Sequence, residues 1–520
     1  MSSFQERLLA HYGLSESDFA SFCLAPTLDN VPGLEEFIEV RKAAEKIKEA
    51  IEKKTKVIVY GDYDCDGVMS TSIICHTFHL LGGSIASYLP SRYIDQYGLS
   101  LVNAEKIADN GYKLVILVDN GISCQKEVAY LNGRGITTII IDHHEVGEEL
   151  PKAYAIIHPT TLGYGEYPVS AGYLSFLFSK VLLGYAERRN LTMGGLSTIS
   201  DLMPLKGHNR ELVRLTLEEL HHHPEGNPIA SLVSCRYEDI DETTLSMEVA
   251  PKINSIGRYV DDSKINRLAH YFGGEEVETM GPNYCAWMNQ INEERKNLTK
   301  MAIEEADIDK DEPAVFHIGS LKEGLNGILA NRFLQSEDKP VMVVSPSHNE
   351  EDVYVGSMRS KEGFLCTEFL NLYDSLFLRH GGHRLAAGVA FKKENAAKVK
   401  AALNEYATSH PFREESKEYI LIEPSEVNEK NFALIKALGP YGFGFKAPEF
   451  LLSSYPVSSL TYSRSLEHIL TPLPSGGTIL GFGYSKTEMS QYTHLDLAGS
   501  FVKNERRGGI DFKVSQIKPV

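Results

Sequence analysis

Three clusters of chemically active side chains follow short apolar runs in this chain. Gly61-Asp62-Tyr63-Asp64-Cys65-Asp66-Gly67 follows Lys56-Val-Ile-Val-Tyr60, and Asp119-Asn120-Gly121 follows Leu114-Val-Ile-Leu-Val118. Asp142-His143-His144-Glu145 follows Thr137-Thr-Ile-Ile-Ile141. Carboxylates brought into one crevice repel one another and raise each other's pKa, and divalent cations relieve that repulsion. Oxygen and imidazole donors without a required thiolate suit Mn2+ or Mg2+. Each cluster alone is a weak signal. An Asp-x-Asp-x-Asp-Gly run can be a turn or a lone calcium-like loop, and Asp-Asn-Gly is a turn signal first. Adjacent histidines after an apolar run are more telling, because they have little to do in a core. Cys65 reads as a small side chain filling space between aspartates. Taken together, the three clusters point to a metal site.

The elements that must position them are legible in the same runs. Each is four or five residues long, rich in β-branched side chains, and separated from the next by a helical length; a fourth run is Tyr154-Ala-Ile-Ile157. Strands buried on both faces have this pattern, which predicts an α/β fold with a mostly parallel sheet. In such sheets ligands bind beyond the carboxyl ends of the strands, near the switch in strand order. Three adjacent strand ends would then gather the carboxylates and imidazoles in one crevice. Glu35 to Lys54 reads as a helix, and so does the polar stretch from about Tyr284 to Asp309, ahead of the proline-marked boundary at Pro313. A second α/β unit starts at Ala314-Val-Phe-His-Ile, and beyond Glu415 short strands broken by Gly, Pro and Ser suggest a small all-β barrel. The expected organisation is an N-terminal helical segment 1–54, an α/β domain 55–275 bearing the three clusters, a connecting helix 276–312, a second α/β domain 313–412 and a β-rich domain 413–520.

With 520 residues the chain exceeds what a single core supports. No apolar stretch approaches the ~18 residues of a membrane helix, so no membrane partner is expected. The Met-Ser-Ser-Phe-Gln-Glu-Arg opening lacks the basic head and apolar core of a secretory signal. Seven scattered cysteines, with no CxxC pair, form neither a disulfide framework nor a structural zinc site, and a reducing cytoplasm is the expected setting. A formal net charge of −18 argues against indiscriminate coating of nucleic acid, which relies on lysine and arginine. It leaves room for an acidic metal site and one local basic groove. Lys503, Arg506, Arg507 and Lys513 form such a basic group, with a solvated loop as the plainer reading. Arg92, Tyr93 and Tyr97 are candidate strand contacts that could equally be packing residues.

Asp62-Tyr-Asp-Cys-Asp-Gly67 and Asp142-His143-His144 resemble the signature motifs of the DHH phosphoesterases, and of their RecJ branch in particular. Ile199-Ser-Asp201-Leu-Met-Pro-Leu205 and Pro251-Lys-Ile-Asn-Ser-Ile-Gly-Arg258 are similar to further motifs of that family. Glu323 to Arg332, Gly356-Ser-Met-Arg359 and Gly381-Gly-His-Arg-Leu-Ala-Ala-Gly388 resemble its companion DHHA1 domain. Gly439-Pro-Tyr-Gly-Phe-Gly-Phe with the β-rich C-terminus resembles the RecJ OB-fold domain, which implies an OB-like nucleic-acid-binding barrel at 413–520. The resemblance implies that Asp64, Asp66, Asp119, His143 and Asp201 ligate two divalent ions, Mn2+ or Mg2+, with His144 beside them. Asp62 and Asp142 are further acidic candidates. It implies that Arg258, Arg359 and His383 hold the scissile phosphate, with Asn254, Ser357, Gly382, Arg92 and Tyr97 also contacting substrate. For Arg258 and Arg359 an ordinary ion pair is the plainer reading of the residues alone.

The activity implied is 5′-to-3′ exonuclease action on single-stranded DNA in recombination and repair, with single-strand-binding protein or other repair proteins as candidate partners. The chain departs from the family at Tyr60, where many members have histidine, at Asn326 and Asn331, and in the turn Gly439-Pro-Tyr-Gly-Phe-Gly-Phe. Two other readings remain: a DHH phosphodiesterase acting on short oligoribonucleotides or cyclic dinucleotides, and a catalytically silent DHH relative serving as a DNA-binding replication scaffold.

Overall fold

The computed structural model describes residues 3–95, 98–260, 263–274, 277–413, 417–504 and 507–520, with the side chains of 263 and 277–282 left aside. It comprises two compact units, Leu28–Glu414 and Met1–Thr27 with Glu415–Val520. Residues 1–54, read from sequence as one segment, are thus divided between them. Among the described residues no helix is long and apolar enough to cross a membrane.

The larger unit opens with five parallel strands: β1 (Val57–Tyr60), β2 (Ala86–Tyr88), β3 (Leu114–Val118), β4 (Thr137–Ile141) and β5 (Ala155–Ile157), in the order β2-β1-β3-β4-β5. The apolar runs form strands because both of their faces are covered. Val57, Val59, Ile116, Val118, Ile139 and Ile141 enter one core, and Ile58, Tyr60, Val115, Leu117 and Ile140 enter another. This is the period-two alternation of a pleated strand. Chain direction across the sheet reverses between β1 and β3, so the crevice of a doubly wound sheet lies at the ends of these two strands. Helices Cys65–Leu80, Ala171–Leu183 and Arg188–Ser200 contribute to the first core.

Helix Val277–Glu305 leads to the second sheet. It starts before the expected Tyr284, within the connecting segment expected at 276–312. Strands β6 (Val315–Ile318), β7 (Val341–Pro346), β8 (Val353–Arg359), β9 (Arg379–His383) and β10 (Ala386–Lys392) are ordered β6-β7-β8-β10-β9, and only β6 and β7 pair in parallel. Asn326, one of the departures from the family pattern, donates to Ser345 Oγ and to the Val355 carbonyl, both at 2.9 Å. It therefore ties its helix to β7 and β8.

The smaller unit contains a six-stranded mixed sheet: β11 (Ile420–Leu421), β12 (Phe450–Pro456), β13 (His468–Pro472), β14 (Thr478–Phe482), β15 (His494–Lys503) and β16 (Ile510–Pro519), in the order β11-β12-β15-β16-β14-β13. The β-rich domain expected there is present. Among the described residues no ladder joins β11 to β13, so the expected OB-like barrel is not closed by strand pairing there. Helix Phe4–His11 belongs to this unit: Phe4, Leu8 and Leu9 are buried, and the Phe4 ring lies 5.7 Å from Phe450 and 5.9 Å from Phe501.

Candidate metal centre

The loop after β1 is shaped by helix capping. Asp64 is the N-cap of helix Cys65–Leu80, and its Oδ1 accepts the backbone N–H groups of Asp66 (3.0 Å) and Gly67 (3.1 Å). A methyl group on Gly67 would lie 2.5 Å from the Asp62 carbonyl oxygen and 2.6 Å from its Cα, so only glycine lets the chain double back this closely. Asn254 Oδ1 accepts the Cys65 N–H at 2.8 Å and holds the loop from the far side. At the end of β3, Asp119 takes a left-handed φ of 58°, a conformation that aspartate tolerates better than most residues. The Asn120 amide donates to the carbonyls of Gly61 (2.9 Å) and Val118 (2.8 Å), stitching the first loop to the end of β3.

These elements bring the expected ligands to one point. His143 Nε2 lies 3.3 Å from Asp119 Oδ1, 3.4 Å from Asp201 Oδ2 and 3.5 Å from Asp66 Oδ2. Three overlapping sets, Asp62–Asp64–Asp119, Asp66–His143–Asp201 and Asp119–His143–His144, each place their ligand atoms within 4.8 Å of one another. Asp142 stays outside all three. Its Oδ2 accepts the Ile122 N–H, while its Oδ1 accepts the His143 N–H and pairs with His144 Nδ1, each at about the same short range (2.9, 2.8 and 2.8 Å). It orients the histidines. Tyr60, at the position where many relatives carry histidine, faces the opposite core, where its hydroxyl donates to the Gly98 carbonyl at 3.1 Å.

Electrostatics and geometry fit a divalent cation. Burial, followed by the neighbouring Asp64 charge, pushes Asp62 up to about 8. Burial and the Asp66 and Asp64 charges push Asp201 up to about 8 as well. Asp64 is raised by burial and Asp66, and Asp119 is raised strongly by burial and four surrounding aspartates. Burial outweighs the nearby carboxylates and lowers His143, favouring the neutral imidazole that ligates metals. Burial would also lower His144, but the Asp142 hydrogen bond and charge raise it to about 9. Asp62 Oδ1 is buried without a hydrogen-bond partner. The 3.3–3.5 Å separations around His143 exceed a charge-assisted hydrogen bond. They are near the ~3 Å between adjacent ligand atoms on a cation with ~2.1 Å bonds.

Next to this cluster a cavity of about 520 Å³ is lined by Tyr63 and Arg92 on one side and by Ser347, Ser357, Arg379 and His380 of the second sheet on the other. The Arg92 guanidinium lies 4.4 Å over the Tyr63 ring, and its Nε is buried without a partner. Burial, then Arg92, then Arg359 push Arg258 down to about 10 despite the opposing pull of Asp64. Burial also lowers Arg359. Three arginines thus stand together beside the carboxylates. Gly382 and His383 lie on exposed β9 and do not line this cavity, whereas His380, not singled out in the sequence, does. Tyr93 is buried, and its hydroxyl donates to the Arg258 carbonyl at 2.5 Å, tying the segment after β2 to helix Ala250–Tyr259. Tyr97 and Arg506 lie outside the described residues; Lys503, Arg507 and Lys513 are exposed. A cavity of about 920 Å³ near Arg7 and Tyr455 in the smaller unit contains none of the ligand clusters.

Residues 56–196 match the DHH family, N-terminal domain, and residues 315–409 match the DHHA1 domain. Over 432 residues the chain is 31% identical to the single-stranded-DNA-specific exonuclease RecJ of Bacillus subtilis, covering 80% of this chain and 54% of that protein. The chain therefore spans about half the length of that relative. It is 27% identical over 495 residues to the RecJ exonuclease of Escherichia coli, covering 86% of this chain and 83% of that one. The fold is shared with RecJ of Thermus thermophilus solved in complex with Mn2+, with a TM-score of 0.82 at 23% identity over 99% of this chain and 76% of that one.

Proposed function

We propose that the chain is a RecJ-like member of the DHH/DHHA1 superfamily, and that it hydrolyses phosphodiester bonds in single-stranded DNA as a metal-dependent exonuclease. The observation that carries this reading is the convergence of Asp66, Asp119 and Asp201, from three separate elements, on His143 Nε2. Asp64, Asp66, Asp119, His143 and Asp201, joined by Asp62, would hold two divalent cations. T. thermophilus RecJ has been solved with Mn2+ and with Mg2+. Cations in such a pair activate water and offset phosphate charge.

The chain's own residues supply the rest. Arg258, Arg359 and Arg92 are held beside the carboxylates, with Arg258 pressed down in pKa by burial and by the Arg92 and Arg359 charges and Arg359 by burial, so an anionic phosphate is a favourable occupant. Donors poised before the reaction stabilise developing charge without reorganising. Ser357 and the cavity-lining Gly356, Gly381 and Gly388, on β8, β9 and β10, leave room for backbone to approach a nucleotide closely. Asn254 keeps the first metal loop in register with the helix that carries Arg258.

On this reading the enzyme works 5′ to 3′ in recombination and repair, in the cytoplasm, with single-strand-binding protein or another repair protein as partner. Comparing turnover of 5′-blocked and 3′-blocked single strands and of dinucleotides, with Mn2+ or Mg2+, tests substrate and direction together. Cleavage of unblocked 5′ ends supports the proposal. Turnover of dinucleotides alone would replace it with phosphodiesterase action on short oligonucleotides, and strand binding without cleavage with a scaffold role.

A further inference from the structure

Ser197 lies in the last turn of helix Arg188–Ser200 and is fully buried. Its hydroxyl does not turn back on its own helix, as those of Thr198 (to the Gly194 carbonyl, 2.9 Å) and Ser72 (to the Val68 carbonyl, 2.6 Å) do. It donates to Asp66 Oδ1 at 2.5 Å, and Ser170 Oγ lies 2.6 Å behind it. An ionised carboxylate only accepts, so the proton order is Ser170 to Ser197 to Asp66. Asp66 Oδ1 also takes the Gly172 N–H at 2.7 Å, whereas Oδ2 takes the Ala171 N–H at 2.9 Å and faces His143 Nε2 at 3.5 Å. The Ser197 carbonyl accepts the Asp201 N–H at 3.0 Å. One residue therefore holds the Asp66 carboxylate through its hydroxyl and the Asp201 backbone N–H through its carbonyl. The site is fitted closely: a methyl group on Gly172 would lie 2.5 Å from Ser197 Cβ.

We propose that Ser197 is a positioning residue for the divalent cations: it occupies Asp66 Oδ1 so that Oδ2 alone is presented to the centre, and it sets the spacing between Asp66 and Asp201. This rests on the metal reading above. Groups that hydrogen-bond metal-ligating carboxylates typically change metal affinity about 10–100-fold when removed.

The test uses full-length Ser197→Ala and Ser197→Cys proteins, with Mn2+ binding measured by calorimetry, folding by circular dichroism, and thermal unfolding in EDTA and in saturating Mn2+. Ser197→Ala is expected to bind Mn2+ about tenfold or more weakly, and Ser197→Cys, a poorer donor of similar size, to fall between it and the wild type. The unfolding midpoint should drop more in Mn2+ than in EDTA, and the cleavage rate should recover as Mn2+ is raised. Should Ser197→Ala fail to fold, Ser197→Cys carries the same comparison. Unchanged Mn2+ affinity in a folded variant, or equal drops with and without Mn2+, overturns the proposal while the metal site stands. A wild-type chain that binds no Mn2+ overturns the metal reading and this proposal with it.

Discussion

His144 Nδ1 lies 2.8 Å from Asp142 Oδ1, and the pair links a buried carboxylate to an imidazole at the rim of the cluster. Burial would raise Asp142, yet the His144 hydrogen bond and charge hold it at about 2; the same contact holds His144 at about 9. The raised histidine contributes stability that is complete below its unfolded value of about 6.5 and is lost as pH rises through about 9. The depressed aspartate contributes stability that is complete above about 4 and is lost as pH falls through about 2. Asp142→Asn should therefore destabilise the metal-free protein by roughly 2 kcal/mol between pH 5 and 6.5. The deficit should shrink above pH 9. Urea unfolding at pH 5.5 and pH 9.5 decides this, and a deficit that stays constant across that range speaks against the pair.

Mutual repulsion of the aspartates predicts how metal binding depends on pH. With Asp62 and Asp201 raised to about 8 in the metal-free chain, cations must displace protons. Carboxylates with raised pKa favour the folded state below about pH 4 and lose that contribution as pH rises through about 8. The stabilisation conferred by Mn2+ should consequently grow from pH 6 to pH 8.5. Thermal unfolding with Mn2+ or EDTA at both values measures it, and calorimetry in buffers of different ionisation enthalpy counts the protons. No proton release would contradict the assignment.

Asp119→Asn and His143→Ala should each reduce cleavage by about 10³-fold or more, the scale of losing a principal electrostatic group from an active site. Asparagine tolerates the left-handed φ of 58° at position 119, so the fold should survive. Removing a buried, repelled carboxylate should leave metal-free stability equal or higher. A normal circular dichroism spectrum with substantial remaining activity would count against these ligands.

Strand binding and bond cleavage should separate by fragment. Because residues 1–27 pack with the C-terminal sheet, trimming only the C-terminus would strand the Phe4 helix without its core. The fragment spanning residues 28–414 should keep metal-dependent cleavage of short oligonucleotides while losing affinity for long single strands about tenfold, in line with the loss of the local basic group Lys503, Arg507 and Lys513. Equal affinity for long strands, measured by fluorescence anisotropy, would remove the smaller unit from substrate binding.

Much of the catalytic half was written locally. The runs Val57–Tyr60, Leu114–Val118, Thr137–Ile141 and Ala155–Ile157 are apolar and β-branched at most steps, which only a two-sided burial satisfies, and parallel pairing then aligns their carboxyl ends. The acidic and imidazole residues that follow those ends needed no knowledge of distant contacts to be singled out. Directions within each cluster were a different matter. Asp142 and His143 are sequence neighbours, yet backbone alternation at the end of β4 turns one toward Ile122 and the other into the cluster.

Contacts between remote segments were settled only by tertiary packing. The amphipathic helix Phe4–His11 announces that one face must be buried, but any apolar surface would serve, and only the folded chain selects Phe450 and Phe501. Whether the C-terminal strands close depends on which edges pair, a non-local matter that strand propensity does not address. Ser197 looks in sequence like any other helical serine. Its role arises because the start of helix Ala171–Leu183 and the loop bearing Asp66 meet it in space, and hydrogen bonds at that range carry no periodicity along the chain.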